Sequence, residues 1–205
     1  MFGFDVKVLG AGSLWTGGDV ARYPGGGQKI RLLKEALEAY ANDSDTIVLF
    51  LDSYDVVFLN DKAEFLRKYR KFDAKVVFSA EVYCWPSPSL KANYPPVTDG
   101  ESRFLNSGSF VGPAASLHRI LSHAPVADTD DDQLYYTKIF LDEKLRVCIC
   151  TTFILTYFNV VFVLTFTRSK HVLSRNYQTI HVSIDPEEVV HFKYIPTSSF
   201  RTPMR

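Results

Sequence analysis

The sequence predicts an α/β domain, a mixed sheet flanked by helices, with its ligands at the carboxyl ends of the strands. Three observations predict it. Strand-like and helix-like segments alternate over residues 1–146. One of the strands, Thr46 to Leu51, is apolar almost throughout, the pattern of a strand buried on both faces as in parallel sheets. That strand runs directly into two carboxylates, Asp52 and Asp55, before apolar residues resume. Charges at the end of a buried strand are costly unless something uses them.

The elements follow in order. Phe4 to Leu9 reads as a short strand, and Gly10 to Gly27 as a glycine-dense loop containing Gly17-Gly18-Asp19 and Gly25-Gly26-Gly27. From Gln28 to Tyr40 the period becomes helical, with Ile30, Leu33, Leu37 and Tyr40 on one face. Asn42-Asp43-Ser44-Asp45 is a turn before the Thr46–Leu51 strand. Asn60 or Asp61 caps a second helix reaching about Lys71 and burying Phe65 and Tyr69. Lys75 to Ala80 is a strand, and Pro86 to Gly100 a proline-rich loop. Arg103 to Gly112 reads as a strand broken by Asn106-Ser107-Gly108. A helix follows from Pro113 to Leu121, with proline in its first turn. Beyond the acidic run Asp128 to Asp132, Gln133 to Leu141 is helical.

Composition sets the outer bounds. The 205 residues suffice for one domain with a sizeable core. Formal net charge is zero, which does not suggest a nucleic-acid partner. The zero is a compromise: residues 1–146 hold 17 Lys+Arg against 20 Asp+Glu, whereas 147–205 hold 6 against 3. Three cysteines, Cys84, Cys148 and Cys150, have neither disulfide-framework nor zinc spacing, and the five histidines show no pairing at metal spacing. The opening Met-Phe-Gly-Phe-Asp-Val-Lys lacks the features of a signal peptide and, taken literally, reads as a chain that is not secreted. Val147 to Thr167 is 21 residues without a charge. Its length allows a membrane span, while its Thr, Phe and Val content also suits a pair of buried strands.

Several features could carry chemistry. Asp52 and Asp55 can direct two hard carboxylate oxygens at one Mg²⁺ or Mn²⁺, or can simply close a turn by accepting from local N–H groups. Gly25-Gly26-Gly27-Gln28-Lys29 runs into a helix whose N-terminus, with the Lys29 charge, suits an anion. Its spacing is neither that of a Walker A loop nor that of a dinucleotide fingerprint, and a surface loop with an exposed lysine explains it as well. Trp85 can stack on a sugar or base, or be an ordinary half-buried indole. Asn106 beside Gly108 suits recognition of a hydroxyl at close range, or marks a β-bulge. Asp130-Asp131-Asp132 either opposes a helix dipole or supplies a general base.

Taken in order, these motifs resemble one family. Gly17-Gly-Asp-Val-Ala21, Gly25-Gly-Gly-Gln-Lys29, Asp52-Ser-Tyr-Asp55, Phe78-Ser-Ala-Glu81, Cys84-Trp85-Pro86, Arg103-Phe-Leu-Asn-Ser-Gly108 and Asp130-Asp-Asp-Gln133 are colinear with the N-terminal glycosyltransferase domain of the procollagen lysyl hydroxylases. The resemblance implies a GT-A-like (Rossmann-like) fold, Mn²⁺, and a UDP-sugar donor, UDP-glucose or UDP-galactose. It implies transfer to (galactosyl)hydroxylysine of collagen, in the lumen of the endoplasmic reticulum. Asp52 and Asp55 would hold the metal. Val20 and Lys29 would line the nucleotide–diphosphate site, Trp85 would border sugar and acceptor, and Asn106 would contact the sugar. Asp131 and Asp132 would form the acidic cluster needed for transfer.

The resemblance also has gaps. The family's first strand and signal peptide have no counterpart here, nor has its Fe²⁺/2-oxoglutarate/ascorbate hydroxylase domain, through which dimerisation would occur. The histidine that completes the family's metal site lies in a His-x-Gly element, whereas Val190-His191 is followed by Phe-Lys-Tyr. The motifs end near Arg146, so residues 1–146 read as an incomplete glycosyltransferase domain and 147–205 as an unrelated tail. Valine codons begin with the GT of an intron donor, which makes translated intron one source for that tail and a membrane-spanning 147–167 the other. A mature transcript continuous through the Arg146 codon would sink the intron reading. The sequence therefore leaves two functions open: a sugar transferase, or an inactive fragment that binds full-length subunits.

Overall fold

A computed structural model of the chain describes residues 3–52, 56–58, 60–72, 74–96, 102–145, 153–156 and 161–163. Its elements are helix α1 (Gly27–Leu37, continued by a 3₁₀ turn at Glu38–Tyr40), strand β1 (Ile47–Leu51), β2 (Val56–Phe58), α2 (Lys62–Tyr69) and β3 (Val76–Glu81). A second 3₁₀ turn (Pro88–Asn93), β4 (Phe104–Pro113), α3 (Ala114–Leu121), α4 (Asp132–Leu141), β5 (Phe153–Thr156) and β6 (Val161–Val163) follow. The main sheet has the order β1-β4-β3-β5, and β2 pairs with β6 in a separate two-stranded ribbon.

The topology departs from the parallel sheet that β1 suggested. β4 lies between β1 and β3 and is antiparallel to both, while β5 runs parallel to β3. The sheet is therefore mixed, in keeping with an incomplete GT-A-like domain. β1 is apolar throughout because both of its faces are covered, not because its neighbours are parallel. Side chains alternate across a strand. Val48 and Phe50 join one cluster, with Ile30, Leu33 and Leu37 of α1, Leu117 and Ile120 of α3, and Tyr136 and Phe140 of α4. Leu49 and Leu51 join the other, with Phe65, Leu66 and Tyr69 of α2. β3 and β4 divide likewise: Phe78 and Phe110 face the first cluster, Val77 and Val111 the second.

Local chemistry sets the element ends. Asp61 caps α2 by accepting from the Glu64 N–H at 2.9 Å. The Asp43 carboxylate closes its turn by accepting from the N–H groups of Asp45 and Thr46, both at 2.9 Å. Pro113 is the residue before α3 rather than one in its first turn. The N–H groups of Ala114 and Ala115 that open α3 donate to the carbonyls of Thr46 and Asp43. The strand expected over Phe4–Leu9 does not form: Asp5 makes only an isolated bridge. Its two apolar ends, Phe4 and Leu9, are buried in different clusters. Glycines in the left-handed region, Gly3 (φ +73°) and Gly10 (φ +70°), turn the chain on either side.

Within residues 147–167 the described segments are the strands β5 and β6. Among the described residues no helix is long and apolar enough to cross a membrane.

Candidate functional site

The site assembles where β1 and β3 end and α1 and α4 begin. The glycine loop reaches it first. Gly26 precedes α1 with φ +99°, a conformation only glycine adopts readily, and its N–H donates to the Gly17 carbonyl at 2.9 Å. The Gly27 and Gln28 N–H groups donate to the carbonyls of Asp130 (2.7 Å) and Asp128 (3.0 Å). A Cβ on Gly27 would lie 2.1 Å from the Ala127 carbonyl oxygen, so only glycine lets this turn approach the helix. The consequence is chemical. The first N–H groups of α1 are spent on the turn at 127–130 and do not form the anion cradle that the motif suggested. Any anion selectivity here falls to the Lys29 side chain.

Polar side chains lock the same loop in place. The buried Gln28 amide accepts from the Thr16 N–H (2.7 Å) and donates to the Leu14 carbonyl (2.9 Å). Arg31 donates two parallel bonds to Asp128, both at 2.8 Å, and the Thr16 hydroxyl bonds the same carboxylate. Val20 stands half-buried on this loop, where a Cβ on Gly25 would lie 3.0 Å from its Cγ1. The Arg31 guanidinium, then the Thr16 hydroxyl, draw the Asp128 pKa from 3.8 down to about 2. A depressed carboxylate stabilises the fold above its unfolded pKa and loses that contribution as pH falls through its folded one. Stability is therefore expected to fall between about pH 4 and pH 2, and Asp128→Asn should flatten that part of the curve. Urea midpoints measured across the window check this; identical slopes in both proteins would refute it.

Lys29 is the centre of the site. Its ammonium donates to Asp132 Oδ2 at 2.6 Å and to both oxygens of Asp52, at 3.1 and 3.0 Å. The lysine side chain is 14% exposed, Asp132 9% and Asp52 37%. Burial alone would lower the lysine pKa, but Asp132 and then Asp52 outweigh it and raise it, so the ammonium is permanent. Asp132 is the first residue of α4, and Asp131 is its cap, accepting from the Leu134 N–H at 2.6 Å. Burial raises the Asp131 pKa.

β4 supplies the floor. Its pairing with β3 jumps from Phe78↔Phe110 to Ser79↔Asn106, leaving residues 107–109 as a bulge. The Asp52 N–H donates to the Gly108 carbonyl inside that bulge at 2.7 Å. A Cβ on Gly108 would come within 3.0 Å of Asn106 Oδ1 and 3.6 Å of Asp52 Oδ2. Asn106 Oδ1 accepts from the Ser79 hydroxyl and the Gly108 N–H. The bulge reading of Asn106-Ser107-Gly108 holds, and Gly108 within it has Asn106 Oδ1 and Asp52 Oδ2 as neighbours.

Two residues absent from the sequence-based site belong to it. Gln133 accepts from the Ser107 N–H (3.1 Å) and donates to Glu81 Oε1 (2.6 Å) and to the Trp85 carbonyl (3.1 Å). Burial raises the Glu81 pKa, and hydrogen bonds from Gln133 and Asn106 partly oppose the rise. The signal for Glu81 was the one that marked Asp52: an acid at the end of an apolar strand. Trp85 is about half-buried, at 51% exposed, with the exposed Val82 and Tyr83 beside it. Asp55 lies outside the described residues.

A family model described as the PLOD GT domain matches residues 1–176. The chain belongs to that family. It is 48% identical over 145 residues to the human multifunctional procollagen lysine hydroxylase and glycosyltransferase LH3. It is 49% identical over 146 residues to the procollagen-lysine,2-oxoglutarate 5-dioxygenase of Drosophila melanogaster. To the multifunctional procollagen lysine hydroxylase and glycosyltransferase of Caenorhabditis elegans it is 50% identical over 147 residues. Each alignment covers 71% of this chain and 20% of the relative, so the chain spans about a fifth of the length of the curated proteins it matches. In this glycosyltransferase domain of lysyl hydroxylases, the Lys29 ammonium is paired with two carboxylates, the buried Asp132 and the partly exposed Asp52. The glycosyltransferase domain thus brings Lys29, Asp52 and Asp132 into direct contact. Asn106 adjoins Asp52 through Gly108, and Trp85 is tied to α4 through Gln133.

Proposed function

We propose that this chain transfers a hexose, glucose or galactose, from UDP to the hydroxylysine or galactosyl-hydroxylysine of collagen, with Mn²⁺, in the lumen of the endoplasmic reticulum. The observation that carries the reading is the Lys29 ammonium held between two carboxylates at the end of β1. One ammonium against two carboxylates leaves the cluster negative, and more than a third of the Asp52 side chain is exposed. That donor chemistry fits a hard divalent cation. Among the described residues no group of three His, Cys, Asp or Glu forms a complete metal site, so Asp52 would act with Asp55. Bound there, the cation would supply positive charge to the departing diphosphate.

The chain's own groups do the remaining work in this reading. Lys29 neutralises the charge that develops on UDP as the glycosidic bond breaks. Trp85 offers an open ring face to the sugar or acceptor, Asn106 bonds sugar hydroxyls, and Val20 borders the nucleotide. The acidic start of α4, Asp131 and Asp132, serves the acceptor side or the diphosphate side.

Calorimetric titration of UDP into the chain with Mn²⁺ tests the proposal. Wild type is expected to give metal-dependent heat, and Asp55→Ala to weaken binding about tenfold or more through loss of a hard ligand. Absence of metal-linked heat in wild type rejects the site and favours a non-catalytic binding role.

A further inference from the structure

We propose that Asp132 is a positioning residue for Lys29: it fixes the ammonium at the Asp52 carboxylate so that a nucleotide diphosphate meets a charge already in place. The inference deepens the nucleotide-site reading above and rests on it. It also separates Asp132 from proton transfer at the acceptor.

The argument is geometric. Asp132 is 7% exposed and opens α4, with its backbone N–H bonded to the Gly25 carbonyl at 3.1 Å. Its Oδ2 takes the shortest bond of the cluster, 2.6 Å from Lys29 Nζ. Its Oδ1 lies against Gly26, where a Cβ would approach it to 2.9 Å. The Lys29 stem crosses the same glycine, since its Cε would lie 3.0 Å from that Cβ. Gly26 therefore opens the narrow gap through which the lysine and the aspartate meet. Both Asp132 oxygens face the protein, one against the ammonium and one against the glycine loop. A general base needs access to the hydroxyl it deprotonates.

Lys29 also bonds Asp52, but at 3.0 and 3.1 Å and on the more exposed side. When a cation engages Asp52, the lysine keeps its second anchor. A lysine stem has several rotatable bonds, so holding its head in one place removes an ordering cost from ligand binding.

The test uses the full chain, with UDP and MnCl₂ as probes in calorimetry and donor-sugar hydrolysis as a second readout. Asp132→Asn is expected to weaken UDP binding about tenfold and to raise the donor KM by a similar factor, leaving the acid limb of the kcat profile unmoved. Asp132→Glu, which keeps the charge, should restore most of that affinity. UDP affinity equal to wild type in Asp132→Asn, with kcat reduced about a hundredfold as for a lost general base, overturns the proposal. Where Asp132→Asn gives no cooperative unfolding transition, Asp132→Glu decides. UDP affinity close to that of wild type with kcat retained supports positioning, and unchanged affinity with a collapsed kcat refutes it. A wild type that binds no UDP fails one step earlier, because it removes the nucleotide site itself.

Discussion

Lys29→Met is expected to destabilise the folded chain by about 3–5 kcal/mol, the usual cost of removing one partner from a buried ion pair. The lysine side chain is 14% exposed and Asp132 9%, so water cannot replace the ammonium. Asp132 would be left as a buried charge facing a methyl group. Methionine keeps the length of the stem, so the loss reports charge rather than volume. A second change tests the cause: Asp132→Asn in the Lys29→Met background should recover most of the stability, because a neutral amide costs far less to bury unpaired than a carboxylate. Urea denaturation of the single and double variants measures both effects. A loss below about 1 kcal/mol, the range of exposed pairs, would mean that the pair is open to solvent.

Phe110→Ala should cost a similar amount, about 3–5 kcal/mol, by a different mechanism. Phe110 is fully buried on β4, the strand that joins β1 to β3. Its ring stacks on Phe50 of β1 at 4.6 Å and lies 4.8 Å from Phe78 of β3 and 5.2 Å from Tyr136 of α4. Alanine would leave a cavity shared by three elements that all reach the site. The pairing of Phe110 with Phe78 is also the last before the bulge at residues 107–109, which holds Gly108 next to Asn106. Loss of stability should therefore come with weaker UDP binding, read by thermal unfolding with and without UDP and Mn²⁺. A midpoint within about 2 °C of wild type, less than 1 kcal/mol for a chain of this size, would refute the role given to this ring.

Some of the candidate site's signals are local. Asp52 ends a buried strand and Asp131 sits where a helix needs a cap, whereas Glu81 carries the same strand-end signal but is absent from the sequence-based site. The glycine loop was legible as a loop but not in its purpose. Backbone N–H groups at a helix start suggest an anion site, yet here they meet the carbonyls of Asp128 and Asp130, about a hundred residues away in sequence. The 51% exposure of Trp85 agrees with a half-buried indole, whereas nothing in the sequence revealed that Val82 and Tyr83 beside it are exposed. Gln133 carried no signal of its own, since a glutamine in the first turn of a helix is ordinary until its amide is seen to bridge Ser107, Glu81 and the Trp85 carbonyl.

The sequence by itself determined the family and most of the elements over residues 27–141, because periodicity, capping and motif order depend on neighbours along the chain. The tertiary structure alone decided that β4 enters between β1 and β3, and that Lys29 stands between Asp52 and Asp132. It also decided that Asp132 is buried while Trp85 is open. These are pairings over long sequence separations. They arise from the two-sided burial of an apolar sheet and from the need of each buried charge for a partner, and neither is written in any short stretch of residues.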